Sequence, residues 1–265
     1  MNLSKTDTYK QITAEWYFLI KWIAIISMVI DHFARMKNFT EVFNLNSELC
    51  VIIGRIAFPL FAWELVQHFF FLNTEEQRIN ALKRMCLLTF ISQPLSDLCG
   101  WNGYALNVIG TLTLGWILMV FWEKAKLKTE VYKKILYKLI PFIIIAVPFL
   151  FFIHCDFNVI GLITILLYYE SNKRNNPVLY DTISTIIFVF AITLHSSFWY
   201  GFDWIGEVKH HIFVIIVPIL IYLARKGVDC HLVSRISKNK VVKLLGRYFF
   251  PLHLMILYII YLIVK

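Results

Sequence analysis

The chain has 265 residues, 59% of them hydrophobic and only 16% charged, with a mean hydropathy of +0.66 and a net charge of +9. Soluble domains are about a quarter charged, and here the apolar residues fall in long runs between short polar stretches, which excludes an ordinary soluble domain. The basic excess sits in those short stretches, so it argues for membrane topology and against nucleic-acid binding.

The expected fold is all-α: a polytopic integral membrane protein with about nine transmembrane helices (eight to ten) and a single transmembrane domain over 1–265. The first apolar run follows a polar stretch and has no small-residue cleavage site behind it, so it reads as an uncleaved span. In chain order the spans are 17–35, 50–72, 82–97, 106–122, 136–153, 158–170, 179–195, 211–224 and 247–264. The run 158–170 is short for a hydrocarbon core that takes about 20 residues, so it is expected to tilt or to enter only part way. The aromatic stretch 195–210 leaves room for an extra half-helix.

Lysine and arginine set the orientation. With the N-terminus in the cytoplasm, most of the 26 basic residues fall inside. They include Arg78, Lys83 and Arg84, the stretch from Lys124 to Lys138, Lys173 and Arg174, and the segment from Arg225 to Arg247. An odd span count then puts the C-terminus outside.

The first span carries charge. Placing Lys or Asp at a helix centre costs roughly 2.5–3.5 kcal/mol on insertion scales. Residues eleven apart lie nearly above one another on a helix, so Lys21 and His32 share a stripe with Met28 and Arg35, about 16 Å apart along the axis. Lys21 lies toward the cytoplasm, and Asp31 and His32 toward the outer leaflet. The structural alternative is that Lys21 snorkels to the headgroups while Asp31 and His32 mark the end of the span.

The second span runs inward and begins with Gly54-Arg55-Ile56-Ala57-Phe58-Pro59-Leu60-Phe61. Arg55 therefore sits at a depth like that of His32. Its charge is permanent, so it calls for a partner such as Asp31 or for a wet cavity. Pro59 lacks an N–H and frees a backbone carbonyl nearby. Glu64 and His68 lie on the inner half, where Glu64 is placed to pair with Lys21.

Asn107 and the Asp156–Asn158 stretch stand at span entrances, where they cap helices or line a cavity. His210 and His211 point to different helix faces and have no carboxylate at ligand spacing, so no metal is expected. Cys50, Cys86, Cys99, Cys155 and Cys230 lack metal spacing; Cys50, Cys99 and Cys155 share the outer side, where one disulfide is open. The last span opens at Gly246-Arg247 and holds His253 about 9 Å deeper. Arg247 marks the inner boundary, and His253 is either a structural partner or part of a channel lining.

No nucleophile elbow, Walker loop, dinucleotide fingerprint or HExxH occurs. What remains is histidine with arginine and a carboxylate, a set suited to removing a proton from an attacking amine or hydroxyl and steadying an oxyanion.

Four stretches carry a resemblance. They are Lys21-Trp22-Ile23-Ala24 through Met28-Val29-Ile30-Asp31-His32; Gly54 through Phe61; Asn107-Val108 through Thr113-Leu114-Gly115; and Phe250-Pro251-Leu252-His253-Leu254. Together the chain resembles the TraX family, named for the F-pilin N-acetyltransferase. More distantly it is similar to the large transmembrane acyltransferases that O-acetylate surface glycans, with Lys21 in place of their usual arginine.

The resemblance implies a multi-pass protein of the bacterial cytoplasmic (inner) membrane that uses acetyl-CoA as donor. The implied acceptor is at the outer side: the N-terminal amine of a pilin subunit or, alternatively, a hydroxyl of a surface polysaccharide or lipid-linked glycan. His32 would deprotonate the acceptor or briefly take the acetyl group, Arg55 would steady the oxyanion, and Asp31 would orient one of them. Lys21, Arg247 and His253 form the expected donor-side set. A transporter or an assembly factor for surface appendages is the reading from another class. A transporter calls for inverted repeats and glycine-rich broken helices; neither is evident, and the chain has ten glycines. Homo-oligomerisation is left open.

Overall fold

The structure, a computed structural model, describes residues 5–35, 46–98, 107–127, 129–151, 157–200, 208, 211–228 and 239–264. Helix accounts for all of the regular structure among them: α1 (Lys5–Arg35), α2 (Ser47–Gly54), α3 (Ala57–Phe71), α4 (Glu75–Leu98), α5 (Val108–Lys126), α6 (Val131–Phe151), α7 (Asn158–Ser171), α8 (Pro177–Tyr200), a 3-10 turn (Ile212–Ile215) leading into α9 (Ile216–Lys226), and α10 (Lys240–Val264). Each predicted span overlaps helix among the described residues, the second covering both α2 and α3 and the eighth the 3-10 turn and α9. Four stretches are long and apolar enough to cross a membrane by length and composition: Glu15–Phe33, Ser47–Phe71, Val108–Lys126 and Pro177–His195. Val159–Ser171 and Tyr248–Ile260 are shorter apolar helices. The protein is an all-α polytopic membrane protein.

Helix α1 shows how the sequence places its faces. Trp16, Ile20, Ala24 and Met28 recur every fourth residue and are all buried, with Ile20 and Ala24 fully so. This stripe joins the main core with Leu60 and Trp63 of α3. Ile26, on the other side, is 55% exposed and faces outward, as an apolar residue does where lipid replaces water.

The second span is broken where the proline predicts it. Pro59 has no N–H to offer the Arg55 carbonyl one turn back, and the helix is interrupted at Arg55 and Ile56, between α2 and α3. Helix α7 makes two close approaches, one to α5 and one to α3. A Cβ on Gly115 would lie 2.3 Å from Ile165 Cδ1, and one on Gly161 would lie 2.8 Å from Phe58 Cζ.

The segments expected in the cytoplasm meet on one face. Lys124 at the end of α5 pairs with Glu75 at the start of α4 at 2.9 Å. Tyr169 near the end of α7 donates to Glu123 and stacks on Phe70 of α3. Gln67 donates to Asn172 at 3.1 Å. Helix α9 stops at Gly227, whose φ of 64° is the left-handed geometry that ends helices. The next carbonyl, that of Val228, accepts from Trp16 Nε1 of α1.

Asp181 of α8, in this half, has a completely buried side chain. It accepts from Arg225 Nε of α9 at 2.6 Å, Ser171 Oγ of α7 at 2.6 Å and Trp63 Nε1 of α3 at 3.1 Å. One carboxylate thus ties four helices, and its charge is both paired and hydrogen-bonded, as burial demands.

Candidate functional site

The site is built where the first and last helices meet. Helices α1 and α10 run in the same direction: the Lys21 and Trp22 side chains approach Gly246, Trp22 meets Phe249, and further along His32 meets His253. Equal direction is what an odd number of crossings requires. His32 stands near the end of the apolar stretch of α1, whereas His253 is mid-helix in α10 and 5% exposed.

The two imidazoles are nearly parallel, with centroids 5.1 Å apart and planes 8° from each other. His32 Nδ1 lies 2.9 Å from His253 Nε2. The other nitrogen of His253, Nδ1, is 3.1 Å from the Phe249 carbonyl oxygen. Aromatic rings enclose the pair. Phe249 stacks on His253 at 5.2 Å, and Phe250 meets both rings edge to face.

Asp31 is buried beside His32 and closely overlain by Gly54. A Cβ on Gly54 would lie 2.2 Å from Asp31 Cβ and 2.9 Å from its Oδ1. Only glycine lets α2 approach α1 this closely. Arg55 follows Gly54 directly in the chain, in the break before α3.

Lys21 pairs with Glu64 at 3.7 Å, as its inward position suggested. Tyr17 and His68 flank this pair, their ring centroids 6.3 Å apart. The Arg247 side chain is outside the described residues; its backbone lies in α10, next to Gly246, whose Cβ position is 3.8 Å from Lys21 Cε. On the basic face, burial pushes the Lys173 ammonium down to about 8, although Glu170 at 3.0 Å opposes the shift.

His253 was expected at the donor end with Lys21 and Arg247; its imidazole contacts His32 instead. The Asp181 cluster was not anticipated. Its signal was a carboxylate two residues inside the start of a predicted span, facing an arginine at the inner end of the next.

Asn107 is a helix cap: its Oδ1 accepts from Gly110 N at 3.2 Å, while its Nδ2 donates to Ser92 Oγ at 3.0 Å. Cys50 and Cys86 are free thiols. Cys99, Cys155, Cys230, His154, Asp156 and His210 lie outside the described residues. Among the described residues no group of three or more His, Cys, Asp or Glu is placed to hold a metal.

No curated protein and no solved structure matches the chain. The family model described as TraX protein matches residues 18–261, from the first span to the last, and on that match the chain belongs to the TraX family.

Proposed function

We propose that the chain is an integral-membrane acetyltransferase of the bacterial inner membrane. It moves the acetyl group of cytoplasmic acetyl-CoA to an acceptor at the outer side, the N-terminal amine of a pilin subunit. The observation that carries this reading is the His32–His253 pair: a histidine oriented by a second ring, next in sequence to the buried Asp31, in an aromatic enclosure. Family membership supports the choice of donor and acceptor.

The chemistry follows from the groups present. His32 takes a proton from the acceptor amine as that nitrogen attacks the thioester carbonyl. A C–N bond forms and the C–S bond breaks. The proton then passes from His32 to the departing thiolate, so the products are an amide and a free thiol. The fixed charge of Arg55 steadies the negative carbonyl oxygen in between, and Asp31 orients its neighbours. Lys21, about 16 Å from His32 along α1, and Arg247 hold the phosphates of the donor on the cytoplasmic side, supported by the basic face.

The test is mass spectrometry of envelope proteins and glycans from cells carrying the native protein, none, or His32→Ala. The expected result is a pilin N-terminal acetyl group that depends on the protein and on His32. Undiminished acetylation with His32→Ala overturns the assignment of the base. An acetyl group lost from a glycan instead moves the acceptor to a sugar hydroxyl.

A further inference from the structure

We propose that His253 is a positioning residue that fixes where the proton sits on His32, so that His32 reacts through Nε2. The inference deepens the acetyltransferase reading and rests on it for its consequence, though not for its geometry.

The reasoning starts at the Phe249 carbonyl, which only accepts hydrogen bonds. His253 Nδ1, 3.1 Å from that oxygen, must therefore carry a proton. A neutral imidazole carries one proton, so His253 Nε2 presents a lone pair. His32 Nδ1, 2.9 Å away, is then the donor. With its own proton on Nδ1, neutral His32 holds its lone pair at Nε2. The chain of bonds runs from the α10 backbone through two rings to one reactive nitrogen.

Isolated imidazole has no such constraint. A histidine whose proton shifts to Nε2 presents a donor to the acceptor amine and no base. Mis-set tautomers are costly in the serine-protease triad, where a carboxylate orients the histidine. Here the orienting group is neutral. A carboxylate at the place of His253 would add a buried charge to the resting site, with its desolvation penalty. The second imidazole sets the same tautomer without that charge. When His32 takes a proton at Nε2, its Nδ1–H bond to His253 becomes charge-assisted and strengthens. The stacked Phe249 ring and the near-parallel planes hold His253 in this register.

The decisive measurement is nitrogen-15 NMR on histidine-labelled full-length protein in nanodiscs, with the His32 and His253 signals assigned from His32→Gln and His253→Gln. The native protein should show His32 protonated at Nδ1 and not at Nε2. In His253→Leu the proton should move partly to Nε2. A native His32 carrying its proton on Nε2, or a tautomer unchanged by His253→Leu, overturns the proposal.

Kinetics give the second readout. His253→Leu should lower kcat at least about a hundredfold, the low end of what a general base contributes, with KM for acetyl-CoA unchanged. His253→Gln, whose amide oxygen accepts from His32 Nδ1, should restore kcat to within about tenfold of native. Equal kcat in native and His253→Leu overturns the positioning role. If the native protein acetylates nothing while the NMR shows the expected tautomer, it is the acetyltransferase reading that fails and the hydrogen-bond chain that stands.

Discussion

Two of the polar clusters inside the bundle are put together differently. The Asp181 carboxylate accepts from an arginine, a serine and a tryptophan, and both of its oxygens are used within the fold. The His32–His253 pair instead links two helices ring to ring, from the Phe249 carbonyl through both nitrogens of His253 to His32 Nδ1. A saturated buried ion pair clamps helices, whereas the proposed role of the histidine pair is to set the proton on His32. The hydrogen-bond inventory separates the two clusters better than burial does.

The comparison can be broken by substitution. The largest effect is expected from His32→Ala, which should cut acetyl transfer at least about a thousandfold, roughly 4 kcal/mol of transition-state stabilisation, with no change in unfolding temperature. An equally large loss of stability would make His32 a clamp like Asp181. Next is Arg225→Met, which strands the buried Asp181 charge and should cost about 3–5 kcal/mol of stability. Adding Asp181→Leu should recover most of that loss, since replacing both members of a buried pair is often close to neutral. Thermal unfolding in detergent measures both, and transfer per folded molecule should stay within about twofold throughout, given the usual independence of distant sites.

Smaller effects bear on the site's frame. Gly54→Ala forces a Cβ to within 2.2 Å of Asp31 Cβ, so α1 and α2 must separate. Overpacking of this kind costs about 1–3 kcal/mol, and a loss of both kcat and stability is expected. The smallest change is Lys21→Gln, for which a rise of about tenfold in KM for acetyl-CoA is expected, about 1.4 kcal/mol, with kcat held. A fall in kcat with unchanged KM would remove Lys21 from the donor end and leave it as the structural partner of Glu64.

Much of this was legible from residue order alone. Hydropathy located the helices, because backbone in lipid must be helical and apolar runs mark it, and four of the stretches are long and apolar enough to cross a membrane. Pro59 located the break in the second span, and the inward placement of Glu64 found Lys21. The partner of His253 was not legible in the same way. Its depth was judged from a span start at 247, but α10 begins at Lys240, and polar residues at a helix end do not reveal where apolar contact begins. Which non-neighbouring helices touch is a matter of three-dimensional packing, and no periodicity within one helix encodes it. Asp181 escaped for a related reason: its four-helix cluster draws on residues from Trp63 to Arg225.

The contact between His32 and His253 joins positions 221 residues apart. Helices enter the membrane in the order of translation, so α1 is in place while the ring that sets its tautomer is still unmade. Throughout synthesis the nascent protein holds a histidine with no assigned reactive nitrogen. On the proposed reading the last helix acts as a completion signal, since the histidine pair is whole only when the ribosome has delivered α10.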